Sequence, residues 1–94
     1  MKRTLHLTLH KEFFAAIADG SKRIEYRDRA PYWKTRLEGK TYDLIKFRNG
    51  YATDAPEMIV QFRGLRKRSS HYEVLLGRVL SLKRWPPKRT VTKS

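Results

Sequence analysis

Lys22, Glu25 and Arg27 stand within one short stretch, GSKRIEYRDR at residues 20–29. A carboxylate between an ammonium and a guanidinium can do two kinds of chemistry. Arginine grips carboxylates and phosphates with two parallel hydrogen bonds, so the trio can hold a polar ligand. Alternatively, burial can lower the lysine pKa until it acts as base or nucleophile, with Glu25 moving the proton. In an extended chain Arg23, Glu25 and Arg27 share one face, and Lys22, Ile24 and Tyr26 share the other. Glu25 and Arg27 are therefore neighbours, while Lys22 must sit at the strand mouth or beyond a bulge to join them. On spacing alone the plainer reading wins: an exposed ion pair worth roughly a few tenths of a kcal/mol.

A second group is FRNGY at 47–51. Arg48, Asn49 and Tyr51 supply a cation, an amide able to read a base edge, and a ring to stack on it. The same Asn49-Gly50 pair is also a turn signal, and a tight loop needs nothing more. Arg48 is the better placed of the two polar groups if the turn uses the Asn49 amide. RGLRKRSS at 63–70 concentrates Arg63, Arg66, Lys67 and Arg68, a solvated strand end able to make nonspecific contacts to a nucleic-acid backbone. Tyr32 and Trp33 can stack on a base, although Trp33 at helical spacing from Leu37 reads first as core. His6 and His10 would lie roughly 13 Å apart along a strand, too far to share a metal ion. His71 stands alone, Ser69 and Ser70 have no base partner, and no phosphate-binding glycine motif occurs. No metal site or cofactor is expected.

Several elements must position these groups. TLHLTL at 4–9 alternates as a half-buried strand with Leu5, Leu7 and Leu9 inward. KEFFAAIADG reads as a short helix with Phe13 and Ile17 four apart, Phe14 between them and Gly20 as the terminating glycine. Residues 22–28 are β-like. Pro31 opens a second short helix that Gly39 closes. Strands follow at 42–50, 57–68 and 71–85, the last bent or bulged at Gly77, and Pro86-Pro87 ends regular structure. Three consecutive strands at the end exclude βαβ alternation. The expectation is an α+β, mainly β domain at 1–84, a small sheet of about five strands curled into a barrel with two short helices. A basic, disordered tail is expected at 85–94.

The 94 residues hold 22 Lys and Arg against 9 Asp and Glu, a formal +13. Without the five basic residues of 83–94 the rest still carries +8. Such a field favours polyanions, nucleic acid before an acidic membrane surface. No cysteine is present, which excludes disulfides and thiol chemistry and suits a reducing cytoplasm. The N-terminus lacks the apolar core of a signal peptide, and no apolar run approaches a membrane span.

The ordered set Gly20-x-Lys22-x-x-Glu25-x-Arg27, after a short helix and before Tyr32-Trp33, resembles the signature of the ASCH family. LHLTLHKEFF, APYWKTRL and YDLIKFRNGYATDAP are similar to small bacterial and phage members, so the resemblance covers roughly residues 4–82. It implies a PUA-like β-barrel with a cleft beside the first helix and the motif strand that binds RNA or a modified nucleotide or nucleoside; the basic surface also suits nonspecific contact with DNA. In that cleft Lys22 would hold a phosphate or carbonyl oxygen, and Glu25 would accept from a base amino group or orient Lys22. Arg27 would fix Glu25 or contact phosphate, with Arg48, Asn49 and Tyr51 at the rim. Weighed with the resemblance, the pocket becomes the better reading of the motif.

Two alternatives stay open. A related bacterial branch hydrolyses N4-acetylcytidine with a lysine, a threonine and a glutamate. Lys22 matches the lysine, but Glu25 stands where the threonine should be and the glutamate has no counterpart. Lys22 and Glu25 are the catalytic candidates for such an amidohydrolase, and ribonuclease activity is known among ASCH proteins. The other alternative is a protein-interaction adaptor using the basic surface.

Overall fold

The structure is a computed structural model that describes residues 2–86. Five strands and two short helices run in the order β1 (Thr4–Thr8), α1 (Lys11–Ala18), β2 (Ile24–Asp28), α2 (Pro31–Leu37), β3 (Leu44–Arg48), β4 (Glu57–Lys67) and β5 (His71–Lys83). They form one curled half-barrel sheet of order β1-β3-β4-β5-β2. The β1–β3 pair is parallel and the remaining pairs are antiparallel. This is the small, mainly β fold expected from the alternation, with each strand starting or ending one or more residues inside its sequence limits.

Alternation decides which side of the sheet is buried. Leu5 lies beside Ile45 and Leu7 beside Phe47, and these continue across to Val60 and Met58. All six are buried, as are Tyr72 and Val74 on β5. α1 closes this face with Phe14 and Ile17, and α2 adds Leu37. Here one expectation is corrected. The apolar stripe of α1 is Phe14 and Ile17, three apart, and Phe13 is 43% exposed. An eight-residue helix with adjacent phenylalanines can bury only one of them against a single sheet face.

Gly20, at φ +87°, follows the α1 C-cap in the left-handed conformation that a glycine adopts without strain. The register of β4 and β5 slips between Val60–Val79 and Phe62–Leu76, where β5 carries one residue more than β4. That places a bulge at Gly77–Arg78, as the glycine predicts. Asn49-Gly50 does not make a tight hairpin. β3 and β4 stop pairing at Arg48 and Glu57, leaving an eight-residue loop at 49–56.

Trp85, assigned to the tail from sequence, belongs to the folded part: its ring sits 5.0 Å from that of Phe14 and packs on the core. The rest of the expected tail, from residue 87 on, lies outside the described residues. Among the described residues no helix is long and apolar enough to cross a membrane.

Candidate functional site

β2 breaks the rule the other strands obey. Glu25 pairs laterally with Val74 and Arg27 with Tyr72, so the charged face of β2 is on the same side of the sheet as the buried core. Its tyrosine, Tyr26, turns outward and is 52% exposed. Glu25 is 6% exposed and is the one buried charged residue among the described residues. Withdrawing a carboxylate from water costs several kcal/mol unless partners compensate. Arg27 Nη2 stands 2.6 Å from Glu25 Oε2, and Lys22 Nζ stands 3.5 Å from Oε1. The exposed-pair reading of the motif is therefore replaced by a buried, doubly compensated carboxylate.

Each partner is itself held. The Arg27 guanidinium lies over the Trp33 ring at 4.8 Å, and its Nη2 donates to the Thr8 carbonyl at 3.3 Å. Thr8 ends β1 at the opposite edge of the curled sheet, so Arg27 bridges the two edges that no backbone ladder joins. Its Nε is buried without a hydrogen-bond partner among the described residues. Lys22 precedes β2, in the connector from α1, where its N–H donates to the Ala16 carbonyl. From there its ammonium reaches Glu25 and sits between two rings, 5.5 Å from Phe13 and 5.0 Å from Tyr26. The phase problem posed by the sequence is solved by starting β2 after Lys22.

Above Glu25 and Arg27 lies an open cleft of about 430 Å³, within the ~300–1,000 Å³ typical of small-molecule sites. Thr8, Leu9, His10 and Lys11 form one wall, Phe13 and Tyr26 another, and Asn49, Gly50 and Tyr51 the third. Of the residues singled out from sequence, Glu25, Arg27, Asn49 and Tyr51 meet here. Lys22 touches Glu25 but lines two neighbouring grooves instead. Tyr51 is 87% exposed at the rim. Asn49 donates from Nδ2 to the Leu9 carbonyl at 3.0 Å, which leaves its own carbonyl oxygen for a ligand.

Arg48 is not in the cleft. Its Nη2 donates to the Ala52 carbonyl at 2.6 Å, and its Nε is 3.3 Å from Glu57. The expected ranking of Arg48 over Asn49 is thus reversed. Alternation points Arg48 to the outer face, where Glu57 also gathers Lys46 and Arg84. Burial opposes ionisation of Glu57, but Lys46, Arg48 and Arg84 outweigh it and hold the carboxyl below its usual range. Arg84 donates to the Ala55 carbonyl, so Arg48 and Arg84 together pin the loop that carries Tyr51.

The basic run at the β4–β5 turn is largely paired. Arg66 and Arg68 reach Glu73, and Lys67 reaches Glu38. Arg63 is exposed. Tyr32 lies away from the cleft with Arg36 stacked on it. Trp33 combines both roles considered for it, packing on the core and supporting Arg27. His10, Lys11, Phe13 and Tyr26 line the cleft without having been singled out. Their signal was present in part, since Tyr26 lies within the motif and Phe13 in the helix before it, but their direction depends on how α1 and β2 pack.

The chain matches no protein-family model, no curated protein and no solved structure. What the site does rests on its own geometry.

Proposed function

We propose that the protein is a small ASCH-like domain that binds RNA or a nucleotide-like ligand, acting in the cytoplasm, with the base in the cleft above Glu25 and Arg27. One observation carries this reading: a buried carboxylate–guanidinium pair forms the base of an open cleft ringed by exposed aromatic side chains. A buried ion pair is a poor route to stability, because apolar residues of similar volume stabilise a core as well or better. Its placement is accounted for by a ligand with both donors and acceptors. Glu25 retains acceptor capacity for a base amino group, the exposed part of the Arg27 guanidinium suits a carbonyl or phosphate oxygen, and Asn49 offers an acceptor. Phe13, Tyr26 and Tyr51 supply the stacking faces that unpaired bases need. The strong positive charge favours the same class of ligand.

A hydrolase of a modified nucleoside would use Lys22 as base or nucleophile. The hold of Glu25 and two rings on its ammonium favours binding over that chemistry. The test is fluorescence anisotropy with labelled single-stranded RNA and with nucleotides, comparing the full chain with Tyr51→Ala. Loss of one stacking ring is worth about 1–3 kcal/mol per base, so binding should weaken roughly 5- to 150-fold without loss of fold. Binding unaffected by the substitution, or no binding by the unaltered chain, contradicts the reading.

A further inference from the structure

The cleft does not end at Tyr26. That ring also lines a shallow groove of about 310 Å³ with Ser21, Lys22, Arg23 and Ile24. Lys22 and Arg23 in turn line a third hollow of about 220 Å³, between the end of α1 and the Gly77–Arg78 bulge of β5. Shared residues set the three side by side: Tyr26 borders the first and the second, and Lys22 and Arg23 border the second and the third. The path runs from a cleft with aromatic walls to a hollow bordered by Lys22, Arg23 and Arg78.

Of the three cations bordering the third hollow, Lys22 is paired with Glu25 and two have no acidic partner among the described residues. Arg66, Lys67 and Arg68 are ion-paired, as are Lys46, Arg48 and Arg84. Arg23 and Arg78 are exposed and make no ion pair among the described residues. The one acid on the path beyond Glu25, Asp19, accepts from the Ser21 N–H at 2.8 Å. The bulge sets this arrangement. A side chain at Gly77 would meet Gln61 Oε1 at 2.8 Å and the Arg63 stem at 2.9 Å. The Gln61 oxygen is the acceptor for the Arg78 N–H.

Resting on the nucleic-acid reading of the cleft, we propose that the ligand is a single strand of several nucleotides rather than a free nucleotide. One base enters the cleft, the next stacks at Tyr26, and the following phosphates lie on Lys22, Arg23 and Arg78. Unpaired bases are required, because a duplex presents no ring faces to Tyr26 and Phe13.

The experiment is a length series: mononucleotides and mixed-sequence single strands of three, six and nine nucleotides, RNA and DNA, titrated across salt against the full chain. Affinity should rise at least tenfold between one and six nucleotides. Arg23→Ala/Arg78→Ala should remove most of that gain and reduce the salt slope by about 1.4, the value for two lost phosphate contacts on a single strand. It should leave mononucleotide binding unchanged, and Arg66→Ala/Lys67→Ala should have little effect. Mononucleotides binding as tightly as long strands, or the Arg23/Arg78 variant binding the six-mer like the unaltered chain, overturns the track and leaves the cleft reading standing. No binding at any length overturns both.

Discussion

Glu25 is where sequence and packing come furthest apart. Its neighbours in the chain suggested a solvated strand, and only the pairing of β2 with β5, beside Tyr72 and Val74, turns it inward. No local pattern encodes that, since the partner strand lies some fifty residues away. The association with Arg27 was legible, because residues two apart on a strand share a face, and so was the displacement of Lys22. Arg48 and Asn49 were not, because the choice between them depends on which side of the sheet the last β3 residue faces. Glu25→Gln keeps the shape and removes the charge, leaving Lys22 and Arg27 without their counter-ion. Breaking a buried pair from one side costs on the order of 3 kcal/mol, which chemical denaturation would report as a lower midpoint with an unchanged slope. An unaltered midpoint would mean that the trio is solvated.

Among the elements, α1 does two jobs with adjacent residues. Phe14 and Ile17 fix the helix to the sheet, while Phe13 faces the cleft and the Lys22 ammonium. The sequence showed the helix and its glycine terminus plainly. It did not show the rotation of the helix about its axis, because either phenylalanine completes an apolar stripe with Ile17. The two substitutions should therefore separate. Phe14→Ala empties a fully buried site and should cost about 3–5 kcal/mol, whereas Phe13→Ala should change stability by about 0.5 kcal/mol or less. Phe13→Ala should nonetheless weaken RNA binding, by the 1–3 kcal/mol typical of a stacking ring. Thermal melts and anisotropy on both variants check this, and a large stability loss from Phe13→Ala would contradict the orientation of α1.

Taken whole, the molecule gathers its few acids under many bases. The Tyr72 hydroxyl donates to Glu38 at 2.5 Å, and this bond, with Lys67, holds the Glu38 carboxyl low against the effect of burial. Glu73 is lowered by its hydrogen bond to His71 and by Arg68 and Arg66, and Glu57 by its three cations despite burial. All three bind protons less readily folded than unfolded. Their stabilisation is thus complete above the unfolded glutamate value of about 4.3 and is lost as pH falls through the lowered folded values. Tyr72 acts at the other end. Burial and its bond to Glu38 push the phenol up, so its contribution is present below about pH 10 and lost as pH rises through the raised value. Thermal midpoints should be nearly level from about pH 5 to 9 and fall steeply below 4. Tyr72→Phe should lower the whole plateau, because it removes the hydroxyl that donates to the Glu38 carboxylate. A midpoint unchanged down to pH 3 would contradict these pairings.

The measurement to make first is a two-dimensional amide NMR titration of the full chain with an unlabelled single-stranded RNA six-mer. Binding in the cleft predicts that the largest shifts fall together at Thr8–Lys11, Glu25–Arg27 and Asn49–Tyr51, three segments far apart in sequence. Shifts confined to the basic residues from 83 onward, or scattered without these three segments, would contradict it.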